Sequence, residues 1–371
     1  MRSRILCLAI ALLLWLPTLH LFFAPAPDRV AAALLRRQAA HPSDRLRATN
    51  PEWALMRRMF EVLALANLAL AHPEQRRLLV AGIDAILERT LADEAANGQL
   101  YFLLPYARGQ RFRDPRGRSL FVDGELALML AARQTVEPSA RWSAEAELRA
   151  RRIAAQLERA PLTFGESYPD EGWTFCNVVA LVALRLHDRR SGQDHRPLVQ
   201  RWIASARAHL VDERTGLLAS SFSYDGRIKD GPEGSTIWLV SALLRQLDPE
   251  FAADQYRRAQ RELARSLLGF AWAREWPASW PSGEDVDSGP TVPIVGANAG
   301  SSGLLVVAAG AFGDEKQLRR LLASLELAGF PIDDASGRRY AAGNELADAV
   351  ILYGLVQGPL WAQAQLVLVT P

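Results

Sequence analysis

After residue 50 two kinds of helical segment alternate along the chain, and this alternation limits the fold more than any other feature. Apolar residues recur at helical spacing over residues 52–71, 74–92, 122–135, 142–159, 174–190, 195–210, 235–248, 252–270, 298–313, 315–327 and 344–357, with a further segment at 28–42. Six of these, beginning near residues 52, 122, 174, 235, 298 and 344, are apolar nearly all round and rich in small residues, as in LALANLALA, VVALVAL and SSGLLVVAAGA. A helix without a polar face is a buried helix. The segments beginning near 74, 142, 195, 252 and 315 carry Arg and Glu on one side and read as outer helices. Short loops such as AHPEQ, LDPE and FGDE join each inner helix to the next outer one. The pattern predicts an all-α fold, a six-hairpin α/α toroid (α/α-six barrel), with parallel inner helices whose N-termini share one end.

The segments leading into those N-termini are long and polar: 49–53, 121–125, 167–177, 230–236, 282–302 and 338–345. In this arrangement all six face a common mouth. The third, SYPDEGWTFCN, packs acids, aromatics, a thiol and an amide into eleven residues. The mouth is acidic, aromatic and free of histidine, with Glu52, Trp53, Asp123, Glu125, Tyr168, Asp170, Glu171, Trp173, Cys176, Asn177, Glu233, Asp285, Asp287, Tyr340, Asn344 and Glu345 as its polar set. Crowded carboxylates drive each other's pKa values apart, so one can hold a proton while another takes one. Asp170, Glu125 and Asp287 are the candidate acid–base residues, with Cys176 as a candidate site thiol. Tyr168, Trp173, Ser167, Asn177, Asp285, Tyr224 and Trp276 are the candidate substrate contacts. Each has a plainer reading. Asp170 can simply close the turn after Pro169, Ser235 can be an N-cap, and Cys176 can be a small buried hydrophobe. Asp285 and Asp287 can hold a loop, and Trp276 and Trp280 can pack it.

The N-terminus is a separate element. Arg2 and Arg4 precede ILCLAIALLLWLPTLHLFF, residues 5–23, long enough to cross a bilayer as a helix. Positive charge ahead of it puts the start in the cytoplasm and the body outside. Residues 1–27 are therefore expected to be a signal-anchor or signal peptide, and residues 28–371 the toroid domain. Ala24-Pro25-Ala26 looks like a cleavage site, but Pro27 after the cut favours an uncleaved inner-membrane anchor with a periplasmic body. Cleavage would instead release that body into the periplasm.

The net charge of +2 excludes a nucleic-acid footprint. With two cysteines, Cys7 and Cys176, and six scattered histidines, neither a CxxC nor an HExxH site exists, and no metal is expected.

Residues 160–357 resemble the linalool dehydratase/isomerase family. The resemblance runs through PDEGWTFCNVVALVALRLHDRRSGQDHR, LVDERTGLLASSFSYDGRIK (which contains Tyr224), LDPEFAADQYRR and DVDSGPTVPIVGANAGSSGLLVVAAGAFGD. It implies an α/α-six barrel, cofactor-free loss and addition of water at a small terpene alcohol with allylic isomerisation, a small-molecule substrate, and the possibility of homo-oligomeric rings. The family site uses two cysteines, a histidine, acids and tyrosines. The second cysteine falls on Cys176, but the first falls on Ser167, and the histidine falls on Glu125 after Gly124. The family's N-terminal acid lies in a segment with no match here. The scaffold matches and the catalytic set differs. This leaves three readings: a carboxylate-driven lyase or isomerase acting on a neutral organic substrate such as an alcohol; a carbohydrate-active hydrolase or lyase with Trp276 and Trp280 stacking on sugars; and a non-catalytic binding or assembly protein of the envelope.

Overall fold

A computed structural model describes residues 2–40, 45–280, 288–289 and 291–366. The protein is mostly helical. The helices are α1 (Arg2–Trp15), α2 (Pro27–Ala40), α3 (Arg45–Thr49), α4 (Pro51–Ala71), α5 (Arg76–Asn97), α6 (Leu120–Val136), α7 (Ala140–Arg159) and α8 (Thr174–Ser191). They continue with α9 (Arg196–His209), α10 (Gly234–Leu244), α11 (Pro249–Glu262), α12 (Ala299–Phe312), α13 (Glu315–Ala328), α14 (Glu345–Val356) and α15 (Pro359–Leu366).

The alternation predicted from the sequence is present. Helices α4, α6, α8, α10, α12 and α14 are buried on nearly every side. Each packs on the next, and α14 packs on α4. Helices α5, α7, α11 and α13 lie against the inner helix that precedes each of them, with their polar faces outward. The segment at 28–42 also finds a place, because α2 packs on α14.

The small residues allow close approach. A Cβ on Gly310 of α12 would lie 2.4 Å from the carbonyl oxygen of Gly354 on α14, so the two backbones meet where no side chain fits. Polar residues ahead of the inner helices serve as N-caps. Asn50 accepts from the Glu52 and Trp53 amides, Ser119 from Val122, Asn298 from Ser301 and Asn344 from Ala347.

Three expectations change. Residues 121–125 are not a loop: the Ser119 cap starts α6 at Leu120, so Glu125 sits more than one turn inside a helix. Ser235 is not the cap of α10. It follows Gly234, the first helical residue, and its hydroxyl donates to the buried Glu275 carboxylate at 2.5 Å. The segment at 252–270 does not stay helical: after Glu262 the alternating ARSL and FAWA form an antiparallel hairpin, β4 and β5 below.

The strands are short and lie between helices. β1 (Gly172–Trp173), β2 (Ser221–Phe222) and β3 (Ile228–Asp230) form one small sheet. β4 (Ala264–Leu267) pairs with β5 (Phe270–Ala273), β6 (Thr291–Val292) with β7 (Ala297–Asn298), and β8 (Pro331–Asp334) with β9 (Gly337–Tyr340), all antiparallel. At the N-terminus α1 continues into a 3-10 helix, Leu16–Phe23, that packs on α13. Together they make one apolar stretch, Ser3–Phe23, long and apolar enough to cross a membrane.

Candidate functional site

A cavity of about 410 Å³ opens at the end where the inner helices begin. Residues from the first turns of all six line it: Glu52, Trp53 and Met56 of α4, Phe121 of α6, Phe175 and Cys176 of α8, Ser235 and Thr236 of α10, Ala299, Gly300, Gly303 and Leu304 of α12, and Leu346, Ala347 and Val350 of α14. Leu104, Tyr106, Tyr168 and Trp173 of β1 close one side. The wall is mainly apolar and aromatic, with few polar groups.

Those polar groups concentrate where α4, α6 and α8 meet. Tyr168 is buried, donates its hydroxyl proton to Glu52 and accepts the Leu104 amide at 2.8 Å. Burial, with the Glu52 charge beside it, holds the Tyr168 hydroxyl far above its usual value, so it stays protonated. Tyr106 stacks on Tyr168 with ring centroids 4.6 Å apart and donates to Glu171 at 2.9 Å. Trp173 donates to the same Glu171 oxygen at 2.7 Å, and Lys229 pairs with its other oxygen at 2.8 Å.

Glu125 lies one helical turn below Phe121 and is 1% exposed. Neither of its carboxylate oxygens has a hydrogen-bond partner among the described residues. Burial, reinforced by the Glu52 charge, pushes its pKa well above the ordinary carboxylate value. Burial does the same to the Cys176 thiol. The Ser167 hydrogen bond opposes that shift, and the Glu52 and Glu171 charges add to it. The resulting corner holds a carboxylate engaged by a tyrosine (Glu52), a thiol and a second carboxyl group whose burial favours its protonated form. Such a set can give a proton at one point and take one at another.

The remaining sequence candidates separate. Asp170 is not in the cavity wall. Its side chain is 41% exposed and ion-paired with Arg113 at 2.8 Å, and that hydrogen bond depresses its pKa. A carboxylate held charged in this way is a poor proton donor. Its φ of +56° fits the turn-closing reading, since Asp tolerates the left-handed region. Asn177 bonds Gly165 through both ends of its amide, and also the Trp173 carbonyl and the Trp202 indole, so it holds the loop and has no spare capacity for substrate. Ser167 is fully buried beside Cys176. Tyr224 uses its backbone to contact Asp170 and lies outside the cavity wall. Trp276 stacks on Trp280 at 5.7 Å, also outside the wall. Asp285 and Asp287 fall outside the described residues.

Sequence reasoning overlooked Tyr106 and Leu104. They come from residues 98–119, a stretch without helical periodicity, so nothing placed them near Tyr168. The aromatic Tyr106 within LLPYARG was the only available signal. Among the described residues no group of three or more His, Cys, Asp or Glu side chains could hold a metal ion.

Two solved structures share the architecture. A polysaccharide lyase aligns over 94% of this chain and 99% of its own at 10% identity and a TM-score of 0.54. A GH76 α-mannanase from Bacteroides thetaiotaomicron aligns over 83% of this chain and 86% of its own at 11% identity and a TM-score of 0.50. At such identities the likeness is one of fold. The sequence match is more specific: a linalool dehydratase/isomerase family model covers residues 122–346, from the helix that carries Glu125 to the first turn of α14. The chain belongs to the linalool dehydratase/isomerase family.

Proposed function

We propose that the protein is a membrane-anchored, cofactor-free lyase or isomerase built on a closed α/α toroid, acting on a small, neutral, largely apolar alcohol. The observation that carries this reading is Glu125: a carboxyl group sealed in the protein without a partner, kept protonated by burial, beside a thiol and a carboxylate that face an apolar cavity. An unpaired buried carboxyl group costs stability, so its presence calls for a purpose.

In the forward direction the Cys176 thiol protonates the leaving hydroxyl, and a rotation of the Glu125 side chain, which has no hydrogen-bond partner among the described residues at rest, brings its proton to the thiolate. The C–O bond breaks and water departs. Glu52 accepts a proton from the neighbouring carbon, and the C–H electron pair becomes the new double bond. Trp53, Tyr106, Phe121 and Trp173 surround the developing positive charge with ring faces. Reversal of the same steps adds water, and re-addition at the far end of an allylic cation gives isomerisation. Glu125 here supplies the proton that the family histidine position would otherwise handle, so the set of substrates accepted by this site need not be that of the founding reaction.

The carbohydrate reading rests on the fold shared with two sugar-acting proteins and on the stacked Trp276–Trp280 pair. The mainly apolar cavity favours the alcohol. Incubating the full-length protein with tertiary and allylic alcohols, and separately with envelope oligosaccharides, tests the choice by chromatography. Water loss or isomerisation that disappears in Glu125→Gln is the expected result. Oligosaccharide cleavage, or alcohol turnover unchanged by that substitution, would sink the proposal.

A further inference from the structure

The exposed apolar side chains of the body are not evenly spread. Among the described residues beyond the N-terminal segment, twelve large hydrophobics are strongly exposed, and eight of them lie between residues 267 and 332: Leu267, Leu268, Val292, Ile294, Val295, Leu327, Phe330 and Ile332. They occupy three adjacent places, namely the β4–β5 turn, the β6–β7 turn and the passage from α13 into β8. Direct bonds tie these places together. The Trp272 indole of β5 donates to the Val295 carbonyl at 2.9 Å, and the Ala271 amide donates to Ser324 of α13 at 2.9 Å.

All three lie at the mouth end. The inner helices α10 and α12 begin at the mouth, and α11 and α13 return beside them, so their C-termini, and the turns that follow, come back to the mouth rim. Solvent is a poor environment for such a patch, and turns that only close hairpins have no need of Leu, Ile and Phe at their tips.

The apolar N-terminal stretch meets this same patch. Phe23 and His20 pack on Phe270 with ring centroids 6.3 and 6.4 Å apart. Gly269 has a φ of +86°, and a Cβ there would lie 2.2 Å from the His20 ring, so this turn closes directly against the apolar segment. Length places it in depth. The 14 residues of α1 and the eight of the 3-10 helix span roughly 37 Å, against a hydrocarbon layer of about 30 Å. The last several ångströms, where His20 and Phe23 touch the β4–β5 turn, then fall at the boundary between acyl chains and headgroups. The exposed Arg29 and Arg36 border a cavity of about 560 Å³ beside Phe22 and Phe23, which Glu326, Asp333 and Arg338 also line.

We infer that the mouth rim of the body rests on the bilayer surface, with the β4–β5 turn, the β6–β7 turn and Phe330 dipping into the interface. The inference rests on residues 3–23 being a membrane span. Its occupant is the lipid interface, and the adjacent apolar stretch argues for lipid over a protein partner. The consequence for the site is access: an apolar alcohol dissolved in the membrane reaches the cavity from the bilayer side.

The test uses the full chain in lipid nanodiscs of phosphatidylcholine and phosphatidylglycerol. Leu268→Cys, Ile294→Cys and Phe330→Cys, each in a Cys7→Ser background, carry an environment-sensitive fluorophore. Leu78→Cys, exposed at the far end of the helices, is the control. Labels at the three rim positions should brighten at least twofold over the control and be quenched by nitroxide lipids, while the Leu78 label stays unquenched. Rim labels that remain as wet as the control, in protein that is stably inserted, overturn the docking but leave the anchor standing. Protein that fails to float with vesicles overturns both. Quenching equal at Leu78 and at the rim would show non-specific adsorption and also overturn the proposal.

Discussion

Asp123 and Glu125 stand two residues apart on α6, yet they live in opposite circumstances. At 100° per residue they point about 200° apart, one outward to the helix layer behind and the other inward beneath the cavity. Asp123 accepts from Arg149 at 2.5 Å, Arg118 at 3.0 Å and Gln99 at 3.0 Å. Arg149 in turn binds Glu94 and Glu145. Glu125 has no such partner. Both are buried. One is a charge neutralised by a network that ties α5, α6 and α7 together. The other is a carboxyl group that avoids its charge by keeping its proton. The difference separates what holds the protein together from what can act on a substrate.

Breaking the inward side should cost function and not fold. Glu125→Gln is expected to lower turnover by about 10² to 10⁴-fold, the range for loss of a positioned acid. Its melting temperature should stay at or above that of the parent, because no partner is orphaned. The pH dependence sharpens this. Glu125 has a native pKa raised above its unfolded value of about 4.3. Its contribution to stability is therefore fully present below pH 4.3 or so. It is lost by about 1.4 kcal/mol per pH unit as pH rises toward the native value. Urea titrations from pH 4 to 8 should show this slope in the parent and its removal in Glu125→Gln. Equal slopes in both proteins would contradict the assignment.

Breaking the outward side should do the reverse. Arg149→Met leaves Asp123 and Glu94 buried without their main partner, and a loss of about 3–5 kcal/mol is expected by urea denaturation. Turnover per folded molecule should be nearly unchanged.

Tyr168→Phe lies between the two. It removes the donor to Glu52 and the acceptor of the Leu104 amide, so about 1–3 kcal/mol of stability should go, together with a fall in turnover as Glu52 loses its orientation. A variant that loses stability alone would mark Tyr168 as purely structural. The smallest effect belongs to Asp170→Asn. An exposed ion pair with Arg113 contributes at most about 1 kcal/mol, and turnover should stay within about twofold. A large loss of activity there would move the chemistry from the α4–α6–α8 corner to the turn outside it.

Much of this was readable in advance. The apolar character of the six inner segments, with Gly and Ala at intervals, gave their burial and their order, because a helix without a polar face has nowhere else to go. The shared mouth followed from parallel inner helices. The residues of YPDEGWTFCN were less legible. That stretch mixes roles at single-residue spacing: Tyr168 and Cys176 face the cavity, Asp170 faces Arg113, and Asn177 ties down Gly165. Neither periodicity nor residue type distinguishes these, because the stretch passes from a turn through the two-residue β1 into the first turn of α8, and no single period runs through all three. The spacing predicts helix over the β4–β5 hairpin because ARSLLGFAWA continues the apolar residues of α11, and Gly269 alone is a weak break signal.

Sequence alone determined the alternation of buried and amphipathic helices, the apolar N-terminal segment and the family, since each depends on patterns along the chain. Only the tertiary structure decided which of the two carboxyl groups is paired and which is not. Pairing depends on what the fold brings near: Arg149 of α7 and Arg118 of the loop before α6 meet Asp123, whereas Glu125 is closed off from solvent with no hydrogen-bond partner among the described residues.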